Sequence, residues 1–295
     1  MCSDHFHPWS ERQGQSGFAW SWLGAALQAT GLSFGTVCAP GQRYHPAVIA
    51  QGAATLAELY PDRFWVALGS GEALNEAVTG QTWPSKPDRN ARLEECVEVI
   101  RALWAGETVS LRGHITVAGA RLYSRPERPP LLFGAALTPE TAKRVGQWGD
   151  GLITVAGSRD SMRAVVDAFR EGGGASKPMF LQVTLSFAPT DDEAVDAAYD
   201  QWRHCAVSAT QLADIATPAD FDRASHGADP SSVLEKVRAS ADIEQHLAWL
   251  HEDASLGFDR IYLHNVARAH QELFIDACST RLLPAMKTPH DELVA

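Results

Sequence analysis

Across nearly all of its 295 residues the chain alternates short β-rich runs with longer stretches of helical periodicity. A strand, a crossover helix and another strand imply parallel pairing, so the fold expected is α/β, as a barrel or a doubly wound sheet. Strands are read at 33–38, 63–68, 131–135, 152–155, 180–188 and 260–264. Helices are read at 46–59, 91–104, 139–147, 159–171, 191–207, 242–256 and 269–283. The plainest is 91–104, with Leu93, Val97, Ile100 and Trp104 on one stripe. Two stretches interrupt the alternation: 109–124 turns about Arg112-Gly113 as a hairpin excursion, and 208–230 is irregular and polar, an insertion or lid. No G-x-G-x-x-G follows an early strand, which weakens the dinucleotide-binding alternative. One domain over 1–295 is expected.

Six strands are two short of a closed eight-stranded barrel. The opening Met-Cys-Ser-Asp-His-Phe-His reads as the C-terminal tip of a strand. The expectation is therefore a TIM (β/α)8 barrel that lacks its first βα unit in this chain, with roughly 30–40 further residues before Met1. A start site placed downstream of the true one would explain it, and the natural product would then exceed 32.0 kDa. The apolar fraction, 45%, is enough for a large core and excludes general disorder. A net charge of −11 argues against nucleic-acid and anionic-membrane partners, which need a basic face, without excluding one local phosphate pocket. Five cysteines, an odd number with no C-x-x-C pair, give neither a disulfide framework nor a zinc cluster. No run of about 18 apolar residues and no signal-peptide pattern is present, so a soluble cytoplasmic protein is expected.

In parallel α/β architectures reactive groups sit at the carboxyl ends of the strands. Here the first tip carries Asp4, His5, His7 and Trp9, and the second Cys38, Arg43, Tyr44 and His45. The third carries Gly69, Ser70, Gly71, Glu72 and Asn75, the fourth Gly134, Ala135, Ala136 and Thr138, and the last His264 with Asn265. A tip imidazole suits proton transfer near neutral pH, and His5 beside Trp9 would face a flat aromatic ligand as a base. A lone histidine is more often a hydrogen-bonded structural residue; the other polar tips tilt His5 toward function and leave His7 even. Gly69-Ser70-Gly71 lets backbone approach a ligand, with Glu72 as an acid at its rim, although many strands end in such turns. Gly134-Ala135-Ala136 before Thr138-Pro139-Glu140 puts small residues at a helix start, where free N–H groups suit a phosphate. An ordinary capped helix start is an equal reading. Asp150-Gly151 reads as a structural turn, and the remaining histidines, His204 among them, as scattered core or solvated residues. His5-x-His7 also keeps open a rival from another class, a metal-dependent amidohydrolase-type hydrolase with His264 as a further ligand.

Four segments carry a resemblance: SDHFHPW at 3–9, RYHPAVIAQ at 43–51, LYPDRFWVALGSGEALNE at 59–76 and WGDGLIT at 148–154. They are similar to the luciferase-like flavin-dependent oxidoreductases, and within them to the branch containing the deazaflavin-dependent glucose-6-phosphate dehydrogenases. The resemblance implies a TIM barrel with insertions, FMN or coenzyme F420 as cofactor, a small organic substrate and a homodimer. It makes His5 the base, places Trp9 near the reacting ring and makes Glu72 the acid near a cofactor ring nitrogen. Asp4, Gly69, Ser70, Gly71 and Asn75 would line the cofactor with Gly134, Ala135, Ala136 and Thr138, and Thr36–Val37 would hold a cis non-prolyl bond behind its ring. Two departures count. Ala164 and Glu235 stand where the sugar-phosphate enzymes place basic residues, which speaks against glucose 6-phosphate. Ala136-Leu137-Thr138 replaces a phosphate-binding Gly-Gly, which leaves FMN and F420 both open. With F420 the reaction implied is hydride transfer, and with FMN a monooxygenation that consumes O2; a flavin-binding protein without catalysis is the remaining alternative.

Overall fold

A computed structural model describes residues 1–286. From the N-terminus, β1 (Cys2–Ser3), β2 (Phe34–Cys38) and β3 (Phe64–Leu68) are joined by α1 (Ala19–Ala29) and α2 (Pro46–Leu59). A single turn, α3 (Ala73–Glu76), and the long α4 (Lys86–Ala105) follow, then an antiparallel hairpin of β4 (Val109–Arg112) and β5 (Thr116–Ala120). The alternation resumes with β6 (Leu131–Ala135), α5 (Pro139–Trp148), β7 (Gly151–Val155), α6 (Arg159–Phe169), β8 (Met179–Ser186) and α7 (Asp191–Trp202). Three short helices come next, α8 (Ala209–Leu212), α9 (Pro218–Ala224) and α10 (Pro230–Leu234). The described chain closes with β9 (Arg238–Ala239), α11 (Ile243–Ala254), β10 (Arg260–Asn265), α12 (Gln271–Ala277) and α13 (Leu283–Met286).

Apart from the hairpin, the strands form one parallel sheet in the order β1-β2-β3-β6-β7-β8-β10, with β9 also on β8. The sheet curls as a half-barrel with helices around it, the α/β architecture expected of a TIM-barrel relative. Inside the curl Trp65, Phe133 and Phe180 make an aromatic layer, with Phe133 and Phe180 4.3 Å apart and Tyr262 against Trp65 and Phe180. Outside it, α1, α2 and α4 pack on β3, while α5, α6, α11 and α12 cover β7 and β8. No helix among the described residues is long and apolar enough to cross a membrane.

Capping chemistry sets most helix starts. Ser85, Thr138, Ser158, Thr190 and Asp242 each accept a hydrogen bond from a first-turn N–H, and Pro87 and Pro139 sit where no donor is needed. α1 lacks such signals: Phe18 makes no cap and no charged residue marks either end. Burial of Leu23 and Leu27 holds it instead, a tertiary cause that leaves no local trace.

Four expectations are corrected. The helix read over 191–207 stops at Trp202, and a tighter turn occupies 203–206. The stretch 208–230 is not irregular but holds α8 and α9 and leads into α10, each too short for a 3.6-residue period to show. The two-residue β9 adds a strand that no pattern marks. No peptide bond among the described residues is cis. Thr36 and Val37 keep regular ladder geometry between Cys2-Ser3 and Val66-Ala67, paired on both sides. The stretch 287–295 of the expected domain lies outside the described residues.

Candidate active site

The parallel ladders bring the carboxyl ends of β1, β2 and β3 side by side, so residues distant in sequence share one rim. Asp4 extends the ladder through its N–H to Val37 O at 2.9 Å. Its buried carboxylate turns onto the second tip: Arg43 donates from Nη2 to Asp4 O at 2.8 Å and Oδ2 at 3.2 Å, and Tyr44 OH donates to Oδ1 at 3.3 Å. The Arg43 N–H donates to Glu76 Oε2 at 2.7 Å, so one residue ties three tips together. Burial pushes the Asp4 and Glu76 carboxyls up, and Arg43 opposes the rise in both. Asp4, expected against the cofactor, has both carboxylate oxygens engaged within the protein. Neither Arg43 nor Glu76 was singled out from sequence for this role; their signal lies in the quoted motifs, which carry both.

Asn75 holds the first tip from the third. Its Oδ1 accepts from Phe6 N at 2.9 Å, which leaves Nδ2 to donate to His5 Nδ1 at 3.3 Å. His7 Nδ1 donates to Leu74 O at 2.9 Å, a structural staple. Burial lowers His5 to about 4, with the His7 carbonyl opposing and Arg43 adding to the fall, so the ring is neutral at pH 7. Trp9 lies 5.0 Å from the His5 ring. It stacks on His204 at 5.0 Å, 6° from parallel, and Phe221 of α9 meets it edge-on at 5.3 Å. Gln13 accepts from Trp9 N and donates from Nε2 to Gln201 O, both at 2.9 Å. His204 is therefore no scattered histidine. It is buried, burial lowers it to about 3, and its Nδ1 has no hydrogen-bond partner among the described residues. Trp202 stands 4.8 Å from both His204 and His264.

The third tip is shaped by Gly71, whose φ of 83° strains any side chain and whose neighbours Ala39, Glu76 and Trp83 would have to give way to a Cβ. Gly69 is open, since a Cβ there would meet nothing nearer than Ala135 at 3.6 Å. Ser70 Oγ accepts from Lys86 Nζ at 2.6 Å. Burial pushes the half-buried Glu72 carboxyl up to about 7, with Lys86 pulling it down and Glu76 adding to the rise. That carboxyl accepts no hydrogen bond from another described residue. The stretch 208–230 closes over this tip: Ala73 N donates to Ala213 O at 2.9 Å, and Trp83 Nε1 to Asp214 Oδ1 at 3.0 Å.

At the fourth tip, a Cβ on Gly134 would lie 2.3 Å from Val145 Cγ1 and 2.9 Å from Trp148 Cη2. This glycine lets α5 lie close on the sheet, and packing accounts for it without a ligand. Thr138 Oγ1 accepts from Thr141 N at 3.3 Å, Pro139 has no N–H, and Glu140 adds negative charge in the first turn. The capped helix start thus accounts for this end of the tip. Ala135 is half-buried and Ala136 buried. Thr36 is fully enclosed, and Val37 packs on the interior aromatic layer. Ala164 and Glu235 are both exposed. Among the described residues no group of three or more His, Cys, Asp or Glu side chains could hold a metal ion.

The sequence pattern of the luciferase-like monooxygenase family matches residues 1–260. The chain belongs to that family. One luciferase-like relative, the F420-dependent glucose-6-phosphate dehydrogenase of Beutenbergia cavernae, is 31% identical over 296 residues, which cover 97% of this chain and 88% of the relative. A solved F420-dependent secondary alcohol dehydrogenase, in complex with an F420–acetone adduct, matches with a TM-score of 0.89 at 30% identity, over 97% of this chain and 89% of that one. A riboflavin lyase solved with modified FMN and riboflavin shares the fold, with a TM-score of 0.71 at 16% identity over 96% of this chain and 79% of that one. The class expected from sequence, a luciferase-like oxidoreductase working with a flavin or deazaflavin, is borne out, and the hydrolase alternative finds no support.

Proposed function

We propose that this luciferase-like enzyme transfers hydride between coenzyme F420 and a small substrate bearing a secondary hydroxyl or the corresponding carbonyl. The observation that carries this reading is the presence, on tips joined by Asn75, of a neutral imidazole and a carboxyl that titrates near neutrality. His5 is lowered to about 4 and Glu72 raised to about 7, an uncharged imidazole and a proton-holding carboxyl for one oxidoreduction. Identities of 31% and 30% to F420-dependent dehydrogenases support the choice of cofactor.

The rim suits a deazaflavin. Glu72 offers a half-buried carboxyl that accepts no hydrogen bond among the described residues, Gly69 leaves room for a ring edge, and Trp9 offers a flat indole. When bound, the deazaflavin supplies the carbon that takes or returns the hydride. With Nδ1 accepting from Asn75, the neutral ring carries its hydrogen on Nε2, where His5 donates to the substrate oxygen and polarises a carbonyl; taking the proton of a hydroxyl there would require the other tautomer, with Nδ1 released from Asn75. Trp9 orients the substrate and screens it from water. Glu72, protonated below about 7, holds a proton on its carboxyl oxygen for a cofactor ring nitrogen. Gly69, Ser70 and Gly71 supply the backbone bed, faced by Gly134, Ala135, Ala136 and Thr138, and Asp4 sets the first tip through Arg43. The second reading, FMN with monooxygenation, is favoured by Ala136-Leu137-Thr138, which lacks the glycine pair of deazaflavin users. The cytoplasm is the proposed compartment, supported by five free cysteines.

Titration of the purified protein with F420 and FMN, followed by ligand fluorescence, tests the reading. F420 is expected to bind and to be reduced by secondary alcohols. Binding of FMN alone, with oxygen consumption, would favour the second reading. Binding without turnover over a broad substrate panel would leave a flavin-binding protein, and binding of neither ligand would sink all three.

A further inference from the structure

Three cations, Lys86 and Arg89 in the first turn of α4 and Arg144 in the second turn of α5, act on one another's surroundings, and two of them are committed. Arg89 lies 4.5 Å over the Trp83 ring, donates to Pro84 O at 2.8 Å and faces Asp214 at 3.7 Å. Arg144 is paired with Glu94 at 2.8 Å. Lys86 differs. It occupies the first position of α4, donates to Ser70 Oγ at 2.6 Å and, among the described residues, forms no ion pair. An ammonium has three donors, so two remain. The bond to Ser70 sets the ammonium on the third tip, where Glu72 and, from beyond the fourth tip, Glu140 both act on its charge. Lys86 is exposed, with its ammonium bonded to Ser70, and partial desolvation pushes it below the usual lysine range.

The helix after the fourth tip is a poor place for an anion. The Thr138 hydroxyl already takes the Thr141 N–H, Pro139 has none to give, and the Glu140 carboxylate repels negative charge. FMN and F420 differ in ring chemistry, yet both carry a phosphate at the end of the ribityl chain, and a phosphate in a cleft needs a cation or several N–H groups. We propose that Lys86 is the cation that meets the cofactor's phosphate, with Ser70 holding the ammonium in position on the third tip. The cofactor's negative charge is thus met by a side chain at the start of α4, not by the N-terminus of α5. This assignment rests on the proposed binding of a flavin or deazaflavin.

The test is a fluorescence titration of wild type, Lys86→Met and Lys86→Arg with FMN against riboflavin, and with F420 against its phosphate-free 8-hydroxy-5-deazariboflavin core. Lys86→Met should weaken the phosphate-bearing member of whichever pair binds by about tenfold or more, and shift the phosphate-free member by less than about twofold. Lys86→Arg should stay within about threefold of wild type, since it keeps the charge. Position 86 is exposed, so both variants should melt with the wild type. Equal losses on both members of a pair, or no loss on either, would overturn this assignment and leave the proposed function standing. A wild type that binds none of the four would overturn that function, and this assignment with it.

Discussion

Glu72 titrates near 7 in the fold, against 4.5 for an unconstrained glutamate. As pH rises between these values the unfolded chain gives up its proton first, so the fold loses stability over that window. Glu72→Gln removes the titration. Its melting temperature relative to wild type should climb from pH 4.5 to 7 by about 5 °C and then level off, as thermal melts at closely spaced pH would record. A constant offset between the two proteins would count against the raised carboxyl. His5, Trp9 and Glu72 were legible as candidates because each lies on a strand tip inside a dense run of polar and glycine residues. His204 was not. What makes it part of the site is a stacking contact with Trp9 made across most of the chain, and no window of sequence contains both residues.

Among elements, α2 and β6 appear with the bounds read from sequence, Pro46–Leu59 and Leu131–Ala135. Pro46 opens a run of good helix formers, and a Pro-rich stretch ends just before β6, so local chemistry and tertiary structure agree there. α1 is the opposite case, held by buried leucines without caps. The glycine of β6 shows a further difference, because the small residue invited a ligand-based reading while its crowding belongs to α5. Gly134→Ala would put a methyl 2.3 Å from Val145 Cγ1. It should lower unfolding free energy by about 1–3 kcal/mol in chemical denaturation, and an unchanged midpoint would show that α5 does not lie as close as described.

For the whole molecule, we propose that the homodimer expected from the resemblance uses α1 and α2. Trp22, at the start of α1, is 49% exposed, and Val48 and Leu59 of α2 are 56% and 62% exposed. The two helices meet where Trp20 lies against Gly52. Single exposed apolar residues are ordinary, but several on adjoining helices fit a face shared between two copies. Light scattering should report twice the 32.0 kDa chain mass at micromolar concentration, and a single-chain mass there would refute the dimer. The clamp on the first tip has a different consequence, one of timing. Gln13 reaches Gln201 and Glu11 reaches Asp222 across 188 and 211 residues, and Trp9 waits for His204 and Phe221. At a synthesis rate of about 5–20 residues per second, the first tip leaves the ribosome roughly 10–40 s before its partners exist. Until then the N-terminal tip has an imidazole and an indole but no wall to set them against, so a chain interrupted before residue 201 carries the opening motif without the candidate site.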